Sequence, residues 1–421
     1  MRSLADWLEQ QQKSHPSAID LTLARVREVA QRMELLSPAF KVITVAGTNG
    51  KGSTVAFVDA LLRAAGRKTG RFTSPHLTRY NERICIDGIE AHDAELIGSF
   101  TRIDAARGDI TLTFFEYNTL AALDLFTRAK VEFAVLEVGL GGRLDATNIL
   151  DADVGIVCSI GLDHADWLGT SIDGIGREKA GIFRRGRPAI LGSTELPGSV
   201  AAYADEIDAI PLLTRQDFSF QVFGETWDFR SEALTLRGLP MPALRGEHQV
   251  GNAANAIAAL VLGNVGVELT HAAASAALRA ARVDGRFQIV PGDIEWIFDV
   301  AHNVPAAQSL SANLRSLPKR RTLAVCGILG DKDIRGITAA LGADIDAWFL
   351  AALAGPRAVS TAELAALLPQ GAMVVEQAPD VAAACRAARA GAKSQERIVV
   401  FGSFLTVGPA LEYLGPEFVR L

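Results

Sequence analysis

The chain has 421 residues, of which 49% are hydrophobic and 21% charged, and its formal net charge is −6. Because one ordinary domain holds about 100 to 200 residues, this length predicts two domains, and the composition is typical of a globular enzyme. The negative charge gives no support for a nucleic-acid partner, since binding to a phosphate backbone needs clustered lysine and arginine.

Two helices and a strand are predicted at the start of the chain. Apolar residues recur at helical spacing within residues 1–36, where Pro16 separates two segments. A run of mostly β-branched residues, Val42 to Val45, then predicts a strand that ends at Gly47. A helix-compatible segment runs from Val55 to Ala65, so glycine-rich residues lie between a predicted strand and a predicted helix.

The glycine-rich segment GTNGKGS, residues 47–53, has the composition of a phosphate-binding loop. Glycine permits positive φ and close approach, so that amide N–H groups and a helix N-terminus can point at phosphate oxygens. Lys51 would add a positive charge for the outer phosphates, and the hydroxyl of Ser53 or Thr54 could ligate Mg²⁺. The spacing is a shortened variant of the common phosphate loop, and a plain turn between strand and helix is the alternative.

The following segments contain two groups of polar residues. SPHLTRYNERICIDG, residues 74–88, includes a predicted strand at Ile84 to Ile86, and both a solvated charged hairpin and a binding loop explain it. A helix is predicted from Ala94 to Ala106. Thr113 with Glu116 three residues later then fits a capping box at the start of another helix.

Chemically active side chains follow two further predicted strands. Glu137 stands at the carboxyl end of the strand Phe133 to Leu136 and is followed by three glycines, and His164 comes shortly after the strand Val154 to Ile160. Open α/β sheets place ligands at the carboxyl ends of their strands. The phosphate loop, Glu137 and His164 together therefore predict one site for a nucleotide with Mg²⁺.

The predicted secondary structure changes in the middle of the chain. Between Pro188 and Arg245 short alternating segments with turn residues predict a β-rich subregion. A helix is then predicted from Val250 to Leu262. Asn252 and Asn255 on that helix either contact a base or ribose or cap local backbone, and the pattern alone does not separate these alternatives.

Strands and helices alternate after the segment RVDGRFQIV, residues 282–290. The strands are predicted at Trp296 to Val300, Leu323 to Leu329, Trp348 to Leu353, Met373 to Val375 and Ile398 to Phe401. This βαβ alternation predicts mainly parallel pairing. The fold class is predicted as α/β, with an N-terminal P-loop-type ATPase domain (1–284) and a smaller C-terminal Rossmann-like α/β domain (285–421). The first domain would hold a mainly parallel sheet and the small β-rich subregion.

Cysteine spacing and hydropathy predict the compartment. The four cysteines lie far apart with no CxxC spacing, which predicts neither a zinc site nor a disulfide framework. No stretch approaches about 18 uninterrupted apolar residues, and MRSLADWLEQ at the start lacks the core of a signal peptide. We therefore expect a soluble cytoplasmic protein with no membrane partner.

Taken together, the motifs resemble those of the Mur ligase superfamily and, within it, the dihydrofolate synthase/folylpolyglutamate synthase family of ATP-dependent amide ligases. The resemblance spans roughly residues 40–408 and keeps the order of the family's motifs. These motifs are GTNGKGS, SPHL with ERI, TxFE, EVGLGGRLDATN, GLDH, EKAGI, GEHQ with NAxxA, DVAHN and DKD. Two positions depart from the family pattern: Val304 stands where proline is usual, and GSFLTVG lacks a tyrosine often found near it.

The resemblance implies an ATP site with magnesium, for which two ions are expected. It places Asn252 near the base, Arg286 near the phosphates and Asp299 near the ribose. The phosphate-loop residues would be Thr48, Asn49, Gly50, Lys51, Gly52, Ser53 and Thr54, and the metal ligands would be Ser53, Glu137 and His164. Lys179 in EKAGI matches a lysine that the superfamily commonly carbamylates into a carboxylate-like metal ligand. A plain lysine of an amphipathic helix is the alternative.

The resemblance also implies the reaction and its substrates. The γ-phosphoryl group of ATP would pass to a carboxylate, and the amine of L-glutamate would then attack the acyl phosphate. Catalytic roles fall to Lys51, Lys179 and His302. Candidate substrate-binding residues are Ser74, Arg83, Thr113, Asp145, Ala146, His302 and Ser403. GGRLDATN looks like the version in bacterial enzymes that use both dihydropteroate and reduced folates, and the family suggests a monomer.

Two other functions remain as alternatives. A Mur-type ligase that adds an amino acid to a UDP-linked cell-wall precursor would share the ATP chemistry, but it predicts a dedicated UDP-binding domain before the phosphate loop, where 46 residues precede Gly47. A nucleotide-dependent switch that hydrolyses ATP without ligation fits less well with Glu137, His164 and a second α/β domain.

Overall fold

The structure, a computed structural model, describes residues 2–17 and 19–415. These residues form two units. One unit holds the described residues of Met1–Pro75, Asn81–Ala243 and Gln249–Ala281, and the other holds those of His76–Tyr80, Leu244–His248 and Arg282–Leu421. The boundary between residues 284 and 285 stays a prediction. The long segment of the second unit begins at Arg282, and this unit also includes two short segments from earlier in the chain.

An eight-stranded sheet forms the centre of the first unit, in the order β4-β3-β2-β5-β1-β6-β7-β8. Its strands are β1 Lys41–Ala46, β2 Thr69–Phe72, β3 Ile84–Ile86, β4 Ile89–Glu90, β5 Phe133–Glu137, β6 Val154–Val157, β7 Pro188–Leu191 and β8 Ile210–Leu213. Pairing is parallel from β2 to β8, and β3 and β4 add an antiparallel edge. The central strands are valine- and isoleucine-rich and buried, as parallel strands covered on both faces require.

Ten α-helices precede residue 282 in the described part of the chain. They are α1 Leu4–Lys13, α2 Ala24–Arg32, α3 Lys51–Ala64, α4 Asp93–Arg107, α5 Phe114–Ala129, α6 Ala165–Leu168, α7 Ile172–Ala180, α8 Gly198–Glu206, α9 Glu247–Val261 and α10 His271–Ala280. Most agree with the predicted positions, but α3 begins four residues earlier than predicted, because Lys51 already lies in its first turn.

The β-rich subregion is present but smaller than predicted. Its antiparallel sheet has the order β11-β10-β9, with β9 Phe218–Phe223, β10 Thr226–Ser231 and β11 Thr235–Pro240. Trp227 and Phe229 are buried and form its apolar centre. The first part of the predicted β-rich range instead contains α8 and two strands of the large sheet.

The second unit has a six-stranded sheet in the order β12-β13-β17-β14-β15-β16, in which only β12 is antiparallel. The strands are β12 Gln288–Val290, β13 Glu295–Asp299, β14 Thr322–Cys326, β15 Ala347–Ala351, β16 Val374–Ala378 and β17 Arg397–Phe401. The helices are α11 Val304–Arg315, α12 Ile334–Leu341, α13 Thr361–Ala366, α14 Val381–Gly391 and α15 Phe404–Leu414. Separate apolar clusters cover its two faces, which confirms the predicted Rossmann-like α/β architecture.

The described residues contain no helix that is both long and apolar enough to span a bilayer.

Candidate active site

The loop after β1 is held by residues that follow β6. The amide of Thr48 donates to the carbonyl oxygen of Ser159 at 2.8 Å, and the amide of Asn49 donates to the Ser159 hydroxyl oxygen at 3.0 Å. That hydroxyl in turn donates to the carbonyl of Asn49 at 2.9 Å, and the Thr48 hydroxyl exchanges hydrogen bonds with the backbone of Gly161. These contacts fix the loop's shape, so a phosphate would meet an arrangement that is already formed. The sequence motif GTNGKGS does not predict these contacts with Ser159, because Ser159 lies 110 residues from Asn49.

Gly50 is the position at which the loop turns into α3. It caps the helix with φ of +87°, a conformation that L-residues with a side chain rarely adopt. A Cβ atom there would lie 2.7 Å from Oδ1 of Asn252 on α9. Asn252 is nearly buried and donates from Nδ2 to Gln249 Oε1 at 3.1 Å. The structure therefore places Asn252 against the phosphate loop itself; its contact with a base stays a prediction.

Replacing Gly50 by alanine should reduce nucleotide affinity. The new methyl group would meet Asn252 and force the loop out of its positive φ, at a cost of roughly 1–3 kcal/mol, or about 5- to 150-fold in Kd. Calorimetric titration with a non-hydrolysable ATP analogue measures this. Gly66→Ala is the matched control, because Gly66 also has positive φ (+75°) but has open space around it. Equal nucleotide affinity in both variants would contradict a special role for Gly50.

Lys51 is the first residue of α3, and its ammonium turns back onto the loop. Nζ donates to the carbonyl of Gly47 at 2.9 Å and to that of Thr48 at 3.2 Å. In this position the charge lies over the loop that is expected to hold the phosphates. The fourth helical residue, Thr54, is fully buried and its hydroxyl contacts the Cys158 thiol at 3.2 Å. That contact favours Ser53 over Thr54 as the hydroxyl for a metal ion.

Glu137 is the last residue of β5 and lies beside the first turn of α3. Its carboxylate oxygens would be 3.6 and 3.7 Å from a Cβ atom at Gly52, and the amide of Ser74 donates to Oε2 at 3.1 Å. The residue is 4% exposed. The predicted metal ligand, the phosphate loop and the predicted substrate residue Ser74 are therefore brought together at the carboxyl edge of the sheet.

Lys179 on α7 is buried at 5% exposure and belongs to the same charged region. Burial, assisted by the positive charge of Lys51, lowers its pKa from 10.5 to about 7, although the carboxylates of Asp163, Asp145 and Glu178 oppose this. A large fraction of the amine is then neutral and nucleophilic at physiological pH, which is the form that reacts with CO₂. The environment suits the predicted carbamylation, which itself stays a prediction.

The lowered pKa of Lys179 gives a stability prediction with a definite sign. Between pH 7 and 10.5 the unfolded chain keeps this proton while the folded chain has released it. The free energy of unfolding should therefore rise with pH in this window, by up to about 1.4 kcal/mol per pH unit from this group. Urea unfolding of the wild type and of Lys179→Met in CO₂-free buffer measures it. Identical pH dependence in the two proteins would show that the amine does not have the lowered pKa.

His164 is placed differently from the other predicted metal ligands. It has left-handed backbone geometry at the start of α6, and its side chain is 38% exposed, with Nε2 4.0 Å from Oδ1 of Asp163. Among residues 2–17 and 19–415, no three His, Cys, Asp or Glu side chains converge as a metal cage. Such a cage is not needed for Mg²⁺, which keeps waters and commonly uses one or two carboxylates with substrate phosphates. Ser53 and Glu137 fit that donor set, and His164 as a ligand stays a prediction.

Two of the residues predicted to bind substrate, Asp145 and Ala146, lie at the end of the loop that follows β5. Asp145 is buried, and its carboxylate accepts hydrogen bonds from the amides of Gly139, Leu140 and Thr147 and from the Thr147 hydroxyl. Burial raises the pKa of this carboxyl, and these donors partly offset the shift. These contacts show that Asp145 fixes the loop after β5, residues 138–145. Ala146 starts the 3₁₀ turn that follows this loop.

Thr113 and Arg83 are near one another at the start of α5. Thr113 caps this helix and forms the predicted capping box with Glu116, which is confirmed. The guanidinium of Arg83 lies over the ring of Phe114, 5.3 Å from its centroid. Phe115 packs so closely on Gly139 that a Cβ atom there would be 2.6 Å from its ring. The ring of Phe115 therefore links α5 to the loop after β5. The sequence motif EVGLGGRLDATN alone does not predict this contact.

The second unit carries a further group of predicted residues at the carboxyl end of β13 and directly after it. Asp299 accepts hydrogen bonds from the amides of Phe287 at 2.9 Å and Ala301 at 2.8 Å. Burial raises its pKa to about 6, against the opposing charge of Arg286. His302 forms a 2.7 Å hydrogen bond from Nδ1 to the carbonyl of Val300.

The loop after β13 enters α11 through a regular cap. Asn303 accepts the amide of Ala306 at 3.0 Å, and Val304 and Pro305 are the first helical residues. The side chain of Asn303 therefore caps the helix directly before Val304, which stands where the family usually has proline. Ser403 is likewise an N-cap, of α15, and accepts the amide of Leu405 at 3.1 Å.

Comparisons with known proteins agree along the chain. A family model described as Mur ligase middle domain matches residues 45–192, and one described as Mur ligase, glutamate ligase domain matches residues 285–404. The dihydrofolate synthase/folylpolyglutamate synthase of Escherichia coli (strain K12) is 46% identical over 412 residues, which are 98% of this chain and 95% of that protein.

Solved structures are similar over nearly the whole chain. The structure of E. coli FolC in complex with DHPP and ADP superposes with a TM-score of 0.93 at 45% identity, covering 99% of this chain and 98% of that one. A bifunctional folylpolyglutamate synthase/dihydrofolate synthase with Mn, AMPPNP and L-glutamate bound gives a TM-score of 0.90 at 44% identity, covering 98% of each chain.

Proposed function

The chain belongs to the dihydrofolate synthase/folylpolyglutamate synthase family of Mur ligases, and from that membership we propose that it uses ATP to join L-glutamate to dihydropteroate and to folates. It is a ligase that forms an amide bond between an acceptor carboxylate and the amine of glutamate. The observation that carries this proposal is the preformed phosphate loop with the buried carboxylate of Glu137 beside its first helical turn. A metal-bound nucleotide needs that combination.

Phosphoryl transfer is the first step. The acceptor carboxylate attacks the γ-phosphorus of ATP, the bond from that phosphorus to the β-phosphate oxygen breaks, and an acyl phosphate and ADP result. Lys51 would neutralise charge that develops on the phosphates, and the amides of the first turn of α3, from Lys51 to Ser53, would donate to their oxygens. Arg286 and Asp299 contribute further ATP contacts. Asp145 keeps the loop after β5 in shape, and the acceptor binds near Ser74, Arg83 and Thr113.

Amide formation is the second step. The amine of glutamate attacks the carbonyl carbon of the acyl phosphate, the tetrahedral intermediate loses phosphate, and the amine gives up a proton. His302 and Ser403 are the proposed contacts for the incoming glutamate. Because the leaving group is phosphate, this step needs orientation of the amine more than a strong acid.

The site residues fit magnesium, and we propose that two ions bind. Ser53, Glu137 and His164 would hold them, with carbamylated Lys179 as a further anionic oxygen donor. Bound Mg²⁺ would neutralise the phosphates and polarise the γ-phosphorus. A buried lysine with a pKa of about 7 has the reactivity that such a modification requires. We propose further that the protein is a cytoplasmic monomer that accepts both dihydropteroate and reduced folates.

Release of ADP tests the proposal against its alternatives. The protein is incubated with ATP and Mg²⁺, and ADP is measured with acceptor and glutamate each added alone and both together. We expect sustained release only with dihydropteroate or tetrahydrofolate plus glutamate. Release that is independent of both would indicate a switch ATPase, and release that needs a UDP-linked precursor instead would indicate a cell-wall ligase.

A further inference from the structure

The turn after β17, Gly402-Ser403-Phe404, is fixed from several sides. Gly402 has φ of +112°, and a Cβ atom there would lie 2.5 Å from the carbonyl oxygen of Gly327, at the end of β14. The same carbonyl accepts the Thr406 hydroxyl at 2.6 Å. Ser403 caps α15. The backbone that carries Phe404 is therefore anchored to the neighbouring strand end and to its own helix.

The ring of Phe404 contacts two of the residues assigned to the reaction. The Arg286 guanidinium carbon lies over the ring, 5.3 Å from its centroid, which is within the range of a cation–π interaction. The His302 ring centroid is 6.1 Å away, with the two planes inclined by 50°. That geometry is typical of a tilted aromatic pair. Phe404 itself packs against the apolar cluster of the second unit, so it is supported from behind.

We propose that Phe404 is a positioning residue whose ring holds the Arg286 guanidinium and the His302 imidazole in a fixed relation to each other. Arg286 precedes β12 and His302 follows β13, so both lie at the open end of this antiparallel hairpin, where the Val300 amide donates to the Gly285 carbonyl at 2.9 Å. The ring of Phe404, which comes from the turn after β17, contacts both side chains there. The inference rests on the proposed function, because it assigns Arg286 to ATP and His302 to glutamate. Phe404 is not itself a catalytic residue, since it acts through its two neighbours.

The test separates the electronic effect of the ring from its size. Phe404→Leu should lower kcat/KM for ATP by roughly tenfold, and Phe404→Tyr should remain within about twofold of the wild type. 3,4,5-Trifluorophenylalanine, introduced at position 404 by nonsense suppression, keeps the ring's shape but weakens its negative face, and should give an intermediate loss. Leu405→Ala is the matched control, because Leu405 is adjacent and 49% exposed. Thermal unfolding of each variant shows whether it folds as the wild type does.

Each outcome is decisive for the inference. A loss with leucine but full activity with the fluorinated ring would mean that Phe404 only fills space, and it would overturn the positioning role. Full activity of Phe404→Leu would overturn it as well. Calorimetric affinity for a non-hydrolysable ATP analogue is measured in parallel, with the same order of variants expected. If the wild type fails to ligate glutamate, the proposed function fails, while the affinity series still tests the contact with Arg286.

Discussion

Replacing Lys51 by alanine is expected to reduce the rate of acceptor- and glutamate-dependent ADP release by about a thousandfold or more. The Lys51 ammonium lies over the phosphate loop, held by the carbonyls of Gly47 and Thr48. Phosphoryl transfer offers little covalent chemistry for a protein to assist, so a charge fixed at the phosphates accounts for much of the rate. The measurement is the steady-state rate of ADP release at saturating ATP, acceptor and glutamate.

Lys68→Ala is the matched control for Lys51→Ala. Lys68 is exposed, and its ammonium also donates to a main-chain carbonyl, that of Ala129, at 2.6 Å. Removal of a surface charge of this kind should change the rate by less than about twofold. If Lys51→Ala released ADP as fast as Lys68→Ala, the phosphate role of Lys51 would be refuted.

Glu137→Gln should have the second large effect, a fall in kcat of about a hundred- to a thousandfold together with a requirement for more Mg²⁺. Glutamine keeps the volume of the side chain and an oxygen that can accept the Ser74 amide, so the fold at the end of β5 should persist. What the variant loses is the negative charge beside the phosphate loop. A titration of the rate with Mg²⁺ at fixed ATP measures the change.

Glu132→Gln serves as the comparison for the Glu137 variant. Glu132 is exposed and pairs with Arg67 on the surface, so its replacement removes the same charge from the same unit without touching the site. Its Mg²⁺ dependence should match the wild type. An unchanged Mg²⁺ dependence in Glu137→Gln would argue that the cation binds without this carboxylate.

The sequence predicts the parts of the site that depend on local pattern. The glycine-rich loop is recognisable because a buried strand, glycines and a lysine are adjacent in the chain, and Glu137 is recognisable because it ends a run of apolar residues. The mainly parallel sheets follow from the alternation of such strands with helices, and the resemblance to the ligase family adds the substrates. The comparisons confirm the family and the ligase activity.

Contacts between distant segments are what the pattern does not predict. Ser159 holds the phosphate loop by hydrogen bonds, although it lies 110 residues from Asn49. Nothing in the local sequence CSIG, residues 158–161, indicates that the Ser159 hydroxyl accepts from and donates to Asn49. Phe404 resembles an ordinary apolar residue at a helix start until the fold places Arg286 on its ring. The predicted start of α3 at Val55 is also wrong, since the helix already includes Lys51 and Gly52. Gly50 caps this helix through its backbone conformation, so no capping side chain marks the start in the sequence.

Transfer of labelled glutamate tests the central claim most directly. The protein is incubated with ATP, Mg²⁺, L-[¹⁴C]glutamate and either dihydropteroate or tetrahydrofolate, and the pterin products are separated and counted. We expect label in the pterin product with both acceptors, dependent on ATP and absent with Lys51→Ala. No labelled product with either acceptor would contradict the assignment of this chain as a glutamate ligase acting on folates.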